Sequence, residues 1–255
     1  MSLDPGILWA PLVAGLLVTA THVPLGMQVL NRGIVFIDLA VAQIAGLGVI
    51  FADWLGFEPQ GIAVQAAALT AALGGALLLN WTEKLWPDVQ EAVIGVTFIV
   101  AANAAILLLA ANPRGAEHLK DLLIGQILWV PSAQLPIIGL LSAAILALWF
   151  GLRGRMRRSG FYLVFACAVT LSVQLVGLYL VFATLIVPAL ATRRLSRGRL
   201  AACYGIGAAG YAAGLFASAI TDLPAGPLIV CVMALLGVLL LAGTSRTAVH
   251  GSERV

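Results

Sequence analysis

Residues 174–199 read QLVGLYLVFATLIVPALATRRLSRGR, an uncharged apolar run that reaches Pro188 and becomes, within five residues, a short piece carrying Arg193, Arg194, Arg197 and Arg199. The pattern predicts a membrane-buried helix that ends at Pro188 and passes into a compact, basic, helical cytoplasmic segment. A channel-forming subunit needs such a segment if a soluble motor is to push on it, so the stretch points to transport. Positive-inside anchoring is the plainer account of the same arginines. The brevity of the piece Ala191–Arg199, closed on its far side by the apolar run from Leu200, favours a dock.

Working outward, the composition sets the class. The chain is 62% hydrophobic and 10% charged, whereas soluble domains are about 45–50% apolar and about 25% charged. An integral membrane protein is implied. A hydrocarbon core about 30 Å thick takes about 20 apolar residues per helix, and runs of that kind lie at 7–30, 33–56, 61–82, 90–111, 134–152, 161–192, 200–220 and 226–243. These runs are apolar all round and rich in Ala and Leu, without the alternation of a barrel strand. The expected fold is therefore all-α, a polytopic bundle of eight or nine spans. One permease-like domain, 1–246, is expected, with a short cytoplasmic tail at 247–255.

The run 161–192 is long for one upright helix and contains Gly177. It reads as one tilted helix or two shorter ones. The arginines of RGRMRR (153–158), those of 193–199 and Arg32 mark cytoplasmic ends, while MSLDPG and FADWLGFEPQ are acidic or neutral. An N-terminus outside agrees with all of these if 161–192 crosses twice, giving nine crossings. The first apolar run lacks a basic n-region and a small-residue cleavage site, so it reads as a retained helix. The net charge of +3 needs no nucleic-acid partner. Cys167, Cys203 and Cys231 match neither zinc nor disulfide spacing and read as small buried hydrophobes.

The chain has no G-x-x-x-x-G-K-[ST] loop, and its only lysines, Lys84 and Lys120, follow no glycine-rich turn. It is not its own ATPase, and ATP-driven transport would need a separate nucleotide-binding subunit. There is no G-x-S-x-G or H-E-x-x-H either. An intramembrane enzyme is disfavoured.

The order of segments resembles the ABC-3 family, the permease subunits of ABC importers for zinc, manganese and iron. The matching stretches are LNRGIVFIDLAVAQIAGLG (30–48), QEAVIGVTFIV (90–100), HLKDLLIGQILWV (118–130), VQLVGLYLVFATLIVPALATRRLS (173–196) and DLPAGPLIVCVMALL (222–236). The resemblance implies an inner-membrane permease dimer, two ATPase subunits that use the ATP, and a periplasmic or surface-anchored metal-binding protein that delivers a divalent cargo, zinc or manganese. It also implies that Pro188, Ala191, Thr192, Arg193, Arg194, Leu195 and Arg197 form the segment inserted into the ATPase.

Ionisable groups inside spans are functional candidates by default. His22 lies ten residues before Arg32 and Gln43 eleven after it, so on antiparallel helices both sit roughly 15 Å from the Arg32 level. Asp38 and Gln43, five residues apart, point about 140° apart on an ideal helix. Family members carry D-x-x-x-H on this helix. Here Gln43 stands at the histidine, Leu39 at the aspartate, and Asp38 is displaced by one. A glutamine carbonyl is a poor zinc ligand, and His22 is a possible substitute from the neighbouring helix. His22 and Asp38 thus have three readings: a metal site near the pore, structural partners of each other or of backbone freed by Pro24, or the proton relay of a secondary transporter. That rival would be expected to show an internal repeat, and none is apparent.

Glu91 reads as a carboxylate at a helix start, favoured by the helix dipole. Glu117, His118 and Asp121 form a polar cluster that could receive metal from the delivery protein, or could be a solvated external loop. Asp222 reads as turn chemistry. Gly74, Gly75, Gly205, Gly207, Gly210 and Gly214 are candidates for close helix packing, and the pair in G-x-x-x-G (Gly210, Gly214) suits contacts within the subunit or across a dimer.

Overall fold

The structure is a computed structural model that describes residues 5–58, 61–109, 125, 127–152 and 158–252. Among the described residues nine α-helices follow one another: α1 (Pro5–Arg32), α2 (Ile37–Trp54), α3 (Ile62–Leu85), α4 (Gln90–Leu109), α5 (Leu135–Leu152), α6 (Arg158–Val176), α7 (Leu178–Ala191), α8 (Arg199–Thr221) and α9 (Ala225–Ser252). Single 3-10 turns lie at Pro87–Val89, Ile127–Trp129 and Ser132–Gln134. Among the described residues there is no strand, and eight of the helices are long and apolar enough to span a bilayer. The all-α expectation holds, with eight span-length helices.

The exception is α7. The apolar run 161–192 is divided at Gly177, whose φ of 84° and ψ of 162° suit a residue without a Cβ. Fourteen residues of α7 rise about 21 Å, less than the thickness of a hydrocarbon core. The run is therefore two helices, the second of them shorter than a full upright span.

Two further expectations are corrected around α7. Pro188 does not end the helix, which continues through it to Ala191. A proline lacks only its own N–H, and the Thr192 N–H still reaches the Pro188 carbonyl at 3.2 Å. The basic segment is also not helical, because Thr192–Gly198 is a chain of turns and bends. Gly198 takes a φ of 68° immediately before α8, which stops a continuous helix from forming.

The bundle has a seam of close contacts. α2 packs on α3 and α4, α1 on α7 and α8, α9 on α7 and α8, and α6 on α3. At the α1–α7 crossing a Cβ on Gly26 would collide with the Leu185 carbonyl, and at the α1–α8 crossing Gly15 is covered by the Tyr211 ring. Gly210 and Gly214 lie against Met233 and Ile229 of α9, and Gly207 lies against Thr19. The G-x-x-x-G thus packs within the subunit. Gly75 meets Ile44, but Gly74 and Gly205 face open space and bring no helix closer. Asp222 caps α8 at φ 57°, its N–H on the Ser218 carbonyl, while Ser218 Oγ donates to the Leu223 carbonyl at 2.6 Å.

Candidate translocation site and coupling turn

His22 sits two residues before Pro24 in α1 and is fully buried. Its Nδ1 is 3.1 Å from the Val18 carbonyl and 3.0 Å from Thr21 Oγ1. The Thr21 hydroxyl is itself directed at the Leu17 and Val18 carbonyls, so Nδ1–H donation satisfies this arrangement. That tautomer leaves a lone pair on Nε2, which has no protein partner. The ring is oriented by its own helix and offers one unused ligand atom.

The backbone group freed by Pro24 is not taken by His22 or Asp38. Pro24 has no N–H for the Ala20 carbonyl, and Tyr204 Oη of α8 donates to that carbonyl at 3.1 Å. The sequence reading missed Tyr204. The available signal was a tyrosine inside an apolar helix, whose hydroxyl needs a partner when buried.

Asp38 lies in the first turn of α2, fully buried, and neither carboxylate oxygen makes a hydrogen bond. Its own backbone N–H and that of Leu39, at the start of the helix, favour its charged form, as the helix dipole does. Its charged neighbour is Glu91. Glu91 Oε1 accepts the Phe36 N–H at 3.3 Å, tying the start of α4 to the N-cap residue of α2. The Arg32 guanidinium at the end of α1 lies 4.2 Å from the centroid of the Phe161 ring of α6, a cation–π contact. Gln90, also missed, joins the end of α3 to α4: it accepts from Thr82 Oγ1 at 3.1 Å and donates to the Leu79 carbonyl at 2.9 Å.

Gln43 is half-buried and borders a cavity of about 10 Å³, room for about one water, with Ala42, Gly46, Ala105, Val173 and Leu178. Val173 and Leu178 flank the Gly177 break, so Gln43 faces the discontinuity between α6 and α7. Among the described residues, no group of three or more His, Cys, Asp or Glu side chains is placed to hold a metal ion. His22 lies on α1, and Asp38 and Gln43 lie on α2. Glu117, His118 and Asp121 lie outside the described residues.

At the basic turn after α7, the candidate coupling segment, Thr192 is fully buried while Arg193 and Arg197 are exposed. Thr192 Oγ1 caps the Pro188 carbonyl at 2.9 Å and lies 2.9 Å from Cys203 Sγ of α8. Cys203 Sγ also approaches the Pro188 carbonyl at 3.4 Å, and an Arg199 NH2 group donates to the Ala189 carbonyl at 3.3 Å. The arginines project from a turn whose base is fastened to both flanking helices.

The sequence matches the ABC 3 transport family over residues 5–157 and 149–244. The chain belongs to that family. This ABC 3 chain is a transport subunit rather than an enzyme, and a multi-pass protein of the cell membrane. It is 27% identical over 197 residues to an uncharacterized membrane protein of Synechocystis, covering 70% of this chain and 68% of that protein. It is 26% identical over 152 residues to a Chlamydia muridarum protein described as a probable metal transport system membrane protein, covering 57% of this chain and 50% of the other. The ABC 3 chain also shares its fold with solved structures. PsaBC from Streptococcus pneumoniae, in complex with Fab, superposes with a TM-score of 0.74 at 20% identity, over 92% of this chain and 90% of that one. An ABC transporter described as of metal-chelate type, in an inward-facing conformation, gives 0.68 at 14% identity over 92% and 85%.

Proposed function

We propose that this chain is the membrane-spanning permease subunit of an ATP-driven importer for a divalent transition metal ion, zinc or manganese. The observation that carries the reading is ABC 3 membership in a chain with no phosphate loop. The Chlamydia relative's description as a metal transport component supports the choice of cargo. A second copy of the chain completes the permease, two ATPase subunits work on the cytoplasmic side, and a metal-binding protein delivers the ion from outside. The exposed arginines of the turn Thr192–Gly198 engage the ATPase, which places that turn, Arg32 and 153–158 on the cytoplasmic side.

His22, Asp38 and Gln43 mark the path. The Nε2 lone pair and the carboxylate of Asp38 are the strong donors for zinc or manganese, and Gln43 supplies a weaker carbonyl. Few donors at any one level suit permeation, because an ion that must leave again cannot be held by a closed ligand set. Glu117, His118 and Asp121 are the candidate reception site on the outer side.

The test is uptake by proteoliposomes containing the chain with its ATPase. Zinc or manganese accumulation that requires ATP is expected. Uptake by the chain alone, driven by a proton gradient, would replace this reading with a secondary carrier in which His22 and Asp38 relay protons. In the ATP-driven system His22→Ala and Asp38→Ala each lower uptake by about tenfold or more, the scale expected on losing a metal contact, with unchanged membrane abundance. Normal uptake in both variants would remove these residues from the path.

A further inference from the structure

Two consecutive residues of α8 face two different helices at their weakest points. Cys203 bonds the Thr192 hydroxyl at the base of the coupling turn, and Tyr204 bonds the Ala20 carbonyl that Pro24 leaves without a helical donor. His22 lies between Ala20 and Pro24, in the turn whose backbone support is thereby supplied from outside α1. The same face of α8 continues along α1 through Gly207 against Thr19 and Tyr211 against Gly15, and Tyr211 Oη is 3.0 Å from Thr184 Oγ1 on α7. Cys203 is thus the contact of α8 with the base of the basic turn, and Tyr204 its contact with the His22 turn.

We infer that Tyr204 is a positioning residue that transmits the state of the coupling turn to the His22 turn of α1, through its hydrogen bond to the Ala20 carbonyl. The inference rests on the permease reading for its use in transport, but the mechanical link belongs to the chain itself. The Ala20 carbonyl is part-buried in the middle of an apolar span, where hydrocarbon offers no water to replace a lost donor. Movement of α8 therefore either drags the Ala20 carbonyl with it or leaves the carbonyl unsatisfied, and both outcomes alter the turn that orients the imidazole.

The first test uses the purified full chain in lipid nanodiscs, with no transport assay. Thr192→Val removes the hydroxyl at the base of the coupling turn. Hydrogen exchange of the Thr21, His22 and Val23 amides is expected to rise about fivefold, the size of losing about one hydrogen bond. In a Tyr204→Phe background the added Thr192→Val change is expected to leave those amides where Tyr204→Phe alone put them. An unchanged α1 in Thr192→Val, or an equal response with and without the tyrosine hydroxyl, overturns the link.

The second test separates transmission from simple satisfaction of a carbonyl. Pro24→Ala returns a backbone N–H to the Ala20 carbonyl, so Tyr204→Phe combined with Pro24→Ala is expected to recover the thermal stability lost in Tyr204→Phe alone. In proteoliposomes with the ATPase, the ion moved per ATP hydrolysed is expected to stay about fivefold low in that double variant, with ATPase activity retained. Recovery of both stability and coupling reduces Tyr204 to a structural bond and defeats the proposal. If the unmodified complex moves neither zinc nor manganese, the permease reading fails, and the exchange measurement still decides the link.

Discussion

The inner and outer halves of the bundle solve the membrane problem differently. Of the spans in α1 and α6, 61% is buried within the protein, against 22% in α4 and 28% in each of α5 and α9. The helices α1, α7 and α8 hold Pro24, Pro188, His22, Thr184, Cys203, Tyr204 and Tyr211, with Thr192 just past the end of α7, and their polar atoms meet across helix boundaries. The outer helices expose Leu107, Leu140 and Leu239, and the polar bonds of α4 to neighbouring elements lie at its start, at Gln90 and Glu91. Irregular backbone in a bilayer is tolerated only where protein re-satisfies it. The prolines and the broken run at Gly177 therefore cluster where neighbouring helices can supply partners, and those irregular elements are what a moving permease would use.

Substitutions that add a side chain to the seam should have the largest effect. Gly26→Val, which forces a side chain onto the Leu185 carbonyl, is expected to cost about 3 kcal/mol. Gly139→Val, in α5 with nothing within 4 Å, should stay within about 0.5 kcal/mol. Denaturant unfolding in detergent compares them, and equal costs would dissolve the distinction between the halves.

Next come the cross-helix bonds. Thr184→Val strands the buried Tyr211 hydroxyl and should cost about 2 kcal/mol, most of it recovered when Tyr211→Phe is added. Thr70 is exposed and bonds only its own helix at the Ala66 carbonyl, so Thr70→Val should move the melting midpoint little. A large loss from Thr70→Val, or none from Thr184→Val, contradicts the assignment of polar bonding to the inner seam.

The smallest and sharpest contrast lies within α3. Gly75 touches the Ile44 side chain while its neighbour Gly74 has no atom within 4 Å. Gly74→Ala should stabilise by about 0.5 to 1 kcal/mol through helix propensity, and Gly75→Ala should lose that gain to crowding. Matched melting curves in one detergent resolve the sign of the difference.

Length and hydropathy alone determined that this is a helical membrane protein of eight or nine spans, because the bilayer requires about 20 apolar residues per crossing whatever the tertiary arrangement. The family was legible from the order of its segments, and Gly177 was legible as a point of division because it interrupts an overlong run. The path of the chain at Pro188 was not: proline removes one donor, and neighbouring bonds decided that the helix continues to Ala191. Nor could a linear reading assign the Ala20 carbonyl to Tyr204, 184 residues away, or set Gln43 against the α6–α7 break. Periodicity reports which residues share a helix face, but the partner across that face is chosen by three-dimensional packing. That is why the spans can be read from the chain while the connections between them belong to the fold.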